Sequence, residues 1–354
     1  MQCARTISAR LISAYCAFFN LCHARSRQRA HPLNCTVSAA DLHFSCSRPL
    51  SKYWTRARRK RLYVWHGEDL AWWNVKYMYE PPRSTLLAGF QAYRDISEWD
   101  VHFSIVLDSE HANFTMELQK AMPGPGDIFL WLGVLSAERV PWRWLRQYGV
   151  YTIYYQSEPW HTLHQCYFSS LTVDEMWDYS LSNIERCART ASWGSDVPRL
   201  RYIPLAALNT ALARNAPICG NPVFLGDVKT RPCWHAVQAQ FHGLIRDVYT
   251  AWDDTAFASV LQSSNIFVNL HKGCSTYGDS KGPVTWRNAK LLNAHGLVIS
   301  ERCDERDEAQ FEGLISFTAQ DSMYEEYKRI CSMTQEQRQQ LADERAALFA
   351  ERFD

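Results

Sequence analysis

From residue 62 onward, short apolar runs alternate with stretches of helical composition, and this alternation is the feature that most limits the possible fold. Such a sequence favours βαβ units, in which parallel strands form a sheet that is covered by helices. The runs fall into two series, separated by residues 208–221, where Asn, Pro and Gly are frequent. We therefore predict an α/β protein with two Rossmann-like, doubly wound domains in tandem, followed by a closing C-terminal helix.

The pattern also places the individual strands and helices. The first series of strands is predicted at residues 62–65, 102–107, 127–132, 151–155, 175–179 and 201–203. The second series is predicted at residues 222–225, 265–269, 297–299 and 314–317. Helices are predicted at residues 113–121, 141–148, 183–190, 234–248, 254–262, 286–294 and 334–353.

Charge and composition divide the chain into three parts. Residues 1–61 carry twelve Lys and Arg against a single acid, Asp41, whereas the remainder is acidic overall. We predict a disordered basic leader at residues 1–61, a first domain at 62–207 and a second domain at 208–354. A basic leader before an acidic body does not form one nucleic-acid-binding surface, so we expect no nucleic-acid partner. No apolar run approaches the ~20 residues that a transmembrane helix needs.

The leader is compatible with several roles. It is rich in Arg and Ser and nearly free of acids, which is typical of organellar transit peptides. Alternatively, its apolar stretch at residues 11–22 is the core of a secretory signal. A disordered leader with the true start nearer Leu62 is a third interpretation, and a tail that contacts nucleic acid or membrane is a fourth. The compartment is therefore unassigned: the leader suggests organellar or secretory targeting, and an uncleaved leader would leave the chain cytoplasmic.

Cysteine and histidine spacing predicts no metal site. The seven cysteines after the leader are widely spaced and include no C-x-x-C pair, which argues against a zinc ribbon or a thioredoxin-type site. His161 and His164 have a helical spacing, but no third ligand follows nearby. Asn113 begins a glycosylation sequon, which is meaningful only if the chain is secreted.

The first candidate site segment follows the strand at residues 151–155. A polar turn leads to Glu158 and Trp160, at the edge where parallel sheets bind their ligands. Glu158 could act there as a general base, and Trp160 could stack on a ligand ring. A strand-end turn with Trp160 in the core explains the same residues equally well.

Two further segments place cations near strand ends. After the apolar run at 222–225, Gly226 lets the backbone turn, and Lys229 and Arg231 could then bind a diphosphate. Arg287 lies in the N-terminal half of a predicted helix, where it could contact the same group. Glu301 follows the next strand and could hold a sugar or ribose hydroxyl. For each segment, the alternative is ordinary charge on a solvated surface.

The order of these segments resembles the CgeB-like glycosyltransferases, a branch of the GT-B nucleotide-sugar transferases. The similarity covers roughly residues 150–350 and is strongest from Asn269 through Trp286-Arg287-Asn288 to residues 296–299. Shorter matching pieces lie at residues 155–160, 177–183, 202–204 and 224–226. Many relatives carry a Glu on the helix that precedes the Gly corresponding to Gly296, and that Glu can bind the donor's ribose. This chain has Lys290 and Leu291 at the corresponding positions.

The resemblance implies transfer of a sugar from a nucleotide-diphosphate donor to an unknown acceptor, without an obligatory metal or cofactor. The donor would bind mainly to the second domain and the acceptor to the first. The implied substrate-binding residues are Lys229, Arg231, His271, Arg287, Asn288, Glu301 and Trp160, with Glu158 as the catalytic candidate. Two alternatives use the same fold: a catalytically inactive carbohydrate- or nucleotide-binding protein, and a protein-interaction scaffold based on the charged closing helix.

Overall fold

The computed structural model describes most of the chain from residue 60 onward. The described residues are 35–37, 44–46, 60–68, 99–107, 118, 120–133, 137–156, 172–190, 198–204, 219–249, 254–271 and 285–353. The predictions for Asn113, Glu158, Trp160, His161 and His164 lie outside these residues.

Within the described part of the chain, the first sheet has six strands, all parallel. Two short strands, β1 (Cys35–Val37) and β2 (Phe44–Cys46), form a separate antiparallel pair. The strands of the first sheet are β3 (Lys60–Glu68), β4 (Trp99–Leu107), β5 (Ile128–Leu132), β6 (Tyr151–Gln156), β7 (Glu175–Asp178) and β8 (Arg199–Tyr202). Their order across the sheet is β4-β3-β5-β6-β7-β8. The described residues of this part of the chain also form the helices α1 (Trp142–Gln147) and α2 (Leu181–Thr190).

Aromatic packing explains much of the tryptophan content of the first domain. Phe129 and Trp131 on β5 are fully buried, as the continuous apolar run of that strand predicts for a sheet covered on both faces. Trp142 on α1 packs edge-on against Phe129 and donates its indole N–H to the Ala137 carbonyl at 2.8 Å. Burying these rings removes large apolar surfaces from water while the indole N–H keeps a hydrogen-bond partner.

The described residues form five strands in the second sheet, also all parallel. Its strands are β9 (Val223–Leu225), β10 (Arg246–Val248), β11 (Ile266–Asn269), β12 (Leu297–Glu301) and β13 (Ser316–Thr318), in the order β10-β9-β11-β12-β13. Its helices are α3 (Trp234–Gln240), α4 (Asp254–Leu261), α5 (Thr285–Asn293), α6 (Glu305–Gln310), α7 (Met323–Ser332) and α8 (Gln335–Phe353). The prediction of two Rossmann-like α/β domains in tandem is confirmed.

The closing helix α8 is confirmed and packs on the second domain. Phe349 and Phe353 are buried, and Phe353 stacks on Phe311. The helix begins with a reciprocal cap, in which the Gln337 amide donates to the Thr334 hydroxyl and the Thr334 amide donates to the Gln337 side chain. This arrangement satisfies backbone donors that a helix start would otherwise leave open.

Two local predictions in the second domain are wrong. The helix predicted over residues 234–248 ends at Gln240, and Arg246–Val248 instead forms the edge strand β10. His242 and Gly243, with φ of +50° and +76°, follow the C-cap Phe241 and end the helix, and their amides donate to the Ala239 and Gln238 carbonyls as in a Schellman motif. The acidic loop predicted after β12 contains the helix α6, which the Asp304 carboxylate caps by accepting from the Arg306 amide.

A disulfide joins the beginning of the second domain to the end of α7. It links Cys219 and Cys331, whose Cα atoms lie 5.4 Å apart although 112 positions separate them in sequence. Cys187 and Cys233 each take part in a further disulfide bond. All five strands of the second sheet lie between the two ends of the Cys219–Cys331 bond.

Candidate functional site

The candidate site lies where the strand order of the second sheet reverses. The chain leaves β9 toward β10 on one side and later returns to place β11 on the other side. Loops that leave neighbouring strands in opposite directions open a crevice at their carboxyl ends, where doubly wound sheets bind ligands. The ends of β9 and β11 bring Gly226 and Asn269 to this crevice.

Two arginines that were predicted from sequence meet at this position. Arg231 follows a short 3₁₀ turn after β9, and Arg287 lies on α5, yet both guanidinium groups lie over the ring of Phe224, at 5.7 and 5.2 Å from its centroid. Each arginine is only 7% exposed. Arg231 donates through Nε to the Leu270 carbonyl at 3.0 Å, and Arg287 donates through Nη1 to Oδ1 of Asn269 at 2.9 Å.

The electrostatics of this pair favour an anion. Burial, together with the neighbouring charge of Arg231, lowers the pKa of Arg287 to about 9. Two like charges removed from water disfavour each other, and a bound anion would relieve both the repulsion and the loss of hydration. Guanidinium groups match phosphate oxygens in geometry because they can donate two parallel hydrogen bonds.

Position 226, at the end of β9, requires glycine, because a side chain there would disturb Arg287 and Phe224. A Cβ added there would lie 3.0 Å from Nη2 of Arg287 and 3.0 Å from the Phe224 ring. The φ of Gly226 is +155°, a value that residues with side chains rarely adopt. The glycine therefore lets the strand end approach the guanidinium of Arg287 closely.

The ends of β11 and β12 are fastened to each other. Asn269 donates from Nδ2 to the Ser300 hydroxyl at 2.9 Å, in addition to accepting from Arg287. The Glu301 carboxylate is buried and accepts from the backbone amide of His271 at 2.7 Å. Glu301 thus fixes the backbone that carries His271, and its predicted contact with donor hydroxyls stays a prediction.

The remaining predicted residues of the second domain differ in their surroundings. Lys229 is exposed in the 3₁₀ turn, and its backbone amide donates to the Asp227 side chain at 2.9 Å. Asn288 is completely buried, with no hydrogen bond to either atom of its amide group from the described residues. Lys290 places its ammonium group over the Phe257 ring at 4.7 Å. Buried amides without partners are rare in proteins and often mark positions that a ligand or water completes.

Sequence reasoning missed residues at the equivalent edge of the first sheet. His66 is buried near the carboxyl end of β3, beside β5, where the order of the first sheet also reverses. Gln156 ends β6 and accepts from the Tyr154 hydroxyl at 2.5 Å. A polar residue at the end of a buried apolar run is the signal that could have identified both. The roles predicted for Glu158 and Trp160 concern residues outside the described part.

Three general findings complete the description. Among the described residues, no group of three or more His, Cys, Asp and Glu side chains is arranged to hold a metal ion. No described helix is both long enough and apolar enough to cross a membrane. No protein-family model matches the chain, and no curated protein sequence matches it.

Several solved structures are similar over most of the chain. An α,α-trehalose-6-phosphate synthase from Burkholderia multivorans aligns with a TM-score of 0.49 at 9% identity, over 84% of this chain and 94% of that one. The UDP-forming α,α-trehalose-phosphate synthase of Burkholderia vietnamiensis gives 0.48 at 10% identity, over 82% and 96%. The UDP-GlcNAc 2-epimerase of Neisseria meningitidis, bound to UDP-GlcNAc, gives 0.46 at 8%, over 81% and 94%. Because these TM-scores are below 0.5, the fold assignment rests on the two sheets described above.

Proposed function

We propose that this protein is a GT-B-type glycosyltransferase, related to the CgeB-like group, that moves a sugar from a nucleotide-diphosphate donor to an acceptor. The single observation that carries the proposal is the pair of buried guanidinium groups, Arg231 and Arg287, at the strand-order reversal of the second sheet. A buried cation pair at the carboxyl edge of a parallel sheet is suited to an anionic ligand with at least two charges. The sequence resemblance supplies the nucleotide sugar as the form of that ligand.

The chemistry follows from where negative charge develops. Breaking the bond between the sugar and the diphosphate leaves charge on the departing oxygen, and groups that hold this charge accelerate the step. Arg231 and Arg287 are held in place by Leu270 and Asn269, so they need little rearrangement to serve this purpose. In this proposal the two arginines supply the stabilisation and no metal is obligatory.

The other residues take supporting roles. Lys229, exposed in the 3₁₀ turn after β9, would contact the outer phosphate oxygens. His271 and Asn288 would face the donor, and Glu301 would keep the His271 backbone in position. On the first domain, Glu158 is proposed as the general base and Trp160 as an acceptor-side contact.

A binding panel tests the proposal on the full chain. Thermal unfolding is followed with UDP, GDP, ADP and CMP, because a ligand at ~100 times its Kd adds about 2.7 kcal/mol to stability. We expect one nucleoside diphosphate to raise the Tm clearly more than the others. Arg287→Ala should weaken that binding by about tenfold or more, which corresponds to ~1.4 kcal/mol.

Arg246→Ala is the matched control. Arg246 is an exposed arginine of the same sheet, but it begins β10 and therefore lies at the opposite, amino edge. Its removal should leave binding unchanged. Equal losses in both variants, or no response to any nucleotide, would contradict the donor site.

Turnover separates an enzyme from a binding protein. A donor that shifts the Tm is incubated with the protein, and release of free nucleoside diphosphate is measured over hours. Release that depends on Arg287 supports the transferase. Binding without release supports the inactive carbohydrate- or nucleotide-binding alternative. That alternative is motivated by the absence of the ribose-binding Glu, since this chain has Lys290 and Leu291 at the corresponding positions.

A further inference from the structure

A buried carboxylate of the second domain caps a helix of the first domain. Asp307 lies on α6, which follows β12, and accepts from the backbone amide of Leu181 at 2.7 Å. Leu181 is the first residue of α2, which follows β7 in the other domain. The same carboxylate accepts from the hydroxyls of Ser180 and Ser182, each at 2.6 Å. We call these contacts between Asp307 and residues 180–182 the Asp307 clasp.

The clasp is a specific contact between the two domains. The Asp307 residue is 1% exposed, and Ser180 and Ser182 are also buried. Burial raises the pKa of Asp307, while its hydrogen bonds to Ser180, Ser182 and Leu181 act in the opposite direction. The first amides of a helix have no acceptor within the helix, and the Asp307 carboxylate supplies one at a buried position, where its negative charge also interacts favourably with the helix start.

The clasp joins the ligand-binding edges of both sheets. On the first-domain side, the Ser180 amide donates to Asp178, the last residue of β7, at 2.8 Å. On the second-domain side, α6 begins four positions after Glu301, whose carboxylate holds the backbone of His271. The ends of β7 and β12 are therefore connected through a short series of hydrogen bonds and one turn of chain.

We infer that Asp307 is a positioning residue, which sets the distance and orientation between the carboxyl edges of the two sheets. The contact itself does not depend on the proposed function. Its catalytic consequence does, because in that proposal the donor lies at one edge and the acceptor at the other. Misplacing the two edges would slow transfer with little change in the donor's own contacts, which in that proposal belong mainly to the second domain.

An exposed ion pair between the same two helices provides a matched control. Arg306, the neighbour of Asp307, pairs with Glu185 on α2, and both side chains are substantially exposed at 42% and 48%. Exposed ion pairs contribute little because water and salt screen them. Arg306→Ala therefore removes a contact between the same elements while it leaves the clasp in place.

Hydrogen exchange tests the contact directly. In the full chain, amide exchange at Leu181 should be at least about tenfold faster in Asp307→Ala than in the wild type, because its acceptor is lost. Arg306→Ala should change the rate by no more than about twofold. Unchanged exchange at Leu181 in Asp307→Ala would overturn the clasp, whatever ligand the protein binds.

The positioning role needs a separate measurement. The Kd of the nucleoside diphosphate found in the panel should be the same, within about twofold, in Asp307→Ala and wild type, whereas kcat should fall by about tenfold or more. Asp307→Asn keeps one carbonyl acceptor for the Leu181 amide and should recover part of the rate. Equal losses in affinity and kcat, or an unchanged kcat, would refute positioning.

A second variant covers the possibility that Asp307→Ala does not fold. Ser182→Ala removes one donor to the same carboxylate from the other domain, and should give a smaller change in the same direction. If the wild type binds no nucleotide at all, the proposed function fails, yet the exchange experiment still decides the clasp.

Discussion

Replacing Arg287 with Met should stabilise the ligand-free protein while it abolishes anion binding. Met is unbranched and close in length to the aliphatic part of Arg, so it can fill the same space without the charge. Arg287 is 7% exposed, and its guanidinium lies over the same Phe224 ring as the guanidinium of Arg231. Residues that serve binding are often kept at the expense of stability, which is the reason to expect this opposite behaviour.

The size of the effect follows from the environment of Arg287. Its pKa is lowered to about 9, and at ~1.36 kcal/mol per pKa unit this amounts to roughly 4 to 5 kcal/mol against the charged form. The substitution also removes the hydrogen bond to Asn269 and the contact with Phe224, worth about 1 kcal/mol and about 1 to 2 kcal/mol. Replacements of buried charges by apolar groups are often neutral or stabilising by about 1 to 4 kcal/mol, so we expect a net gain of about 1 kcal/mol or more.

Urea unfolding in phosphate-free buffer measures the gain. Arg246→Met is the control, since Arg246 is exposed at the amino edge of the same sheet and its replacement should change stability by no more than about 0.5 kcal/mol. Titration with pyrophosphate follows in both variants. Arg287→Met should lose the stabilisation that pyrophosphate gives to the wild type, and Arg246→Met should retain it.

One combination of results would refute the reasoning. If Arg287→Met unfolds at lower urea than the wild type and pyrophosphate still stabilises it, the guanidinium is a structural group. The hydrogen bond to Asn269 would then outweigh the burial of charge. The assignment of the crevice as an anion site would fall with it.

Three further predictions concern other parts of the second domain. Gly226→Ala should destabilise the protein by about 1 to 3 kcal/mol in urea unfolding and weaken pyrophosphate binding in titration, because the added Cβ would crowd the Arg287 guanidinium and the Phe224 ring. Gly243→Ala is the control, since Gly243 also has a positive φ but has no described atom within 4 Å of the added Cβ. It should change stability and leave pyrophosphate binding unchanged. The double variant Cys219→Ser and Cys331→Ser should lose roughly 4 kcal/mol in the same unfolding assay, and an unchanged midpoint would contradict a closed 112-position loop. The pKa of Asp307 is raised in the folded state, so the native protein binds that proton more tightly than the unfolded chain does. The free energy of unfolding of the wild type, relative to that of Asp307→Asn, should therefore fall as the pH rises above about 4. A difference between the two free energies that does not change with pH would argue against the raised pKa.

Most strands were predictable because a strand that is buried on both faces of a sheet appears in the sequence as a continuous apolar run. Residues 223–225 and 266–268 are continuous apolar runs, and the strands Val223–Leu225 and Ile266–Asn269 lie within one or two residues of the predicted positions. The strand Arg246–Val248 was not predictable, since an edge strand of three residues with Arg and Asp exposed has no apolar period. Its position depended on the left-handed turn at His242 and Gly243, which ended the helix early.

The candidate site was predictable to the extent that it depends on strand ends. Arg231 was predicted because it follows a buried strand, and Arg287 because it lies in the N-terminal half of a helix; the sheet order brings them together. The use of Glu301 to hold the His271 backbone was not apparent, because a carboxylate looks the same in sequence whether it faces a ligand or an amide. The contact between Asp307 and α2 joins residues more than a hundred positions apart and leaves no periodic signal.

The bond between Cys219 and Cys331 turns the second sheet into a covalent ring. Cutting one peptide bond anywhere inside that ring opens it but releases no fragment, since the two pieces remain joined through sulfur. A protease cut between β11 and α5 would thus give one band on a non-reducing gel and two after reduction. The same property makes this half of the chain a place where a loop can be opened or a tag inserted while both new ends stay tethered to one molecule.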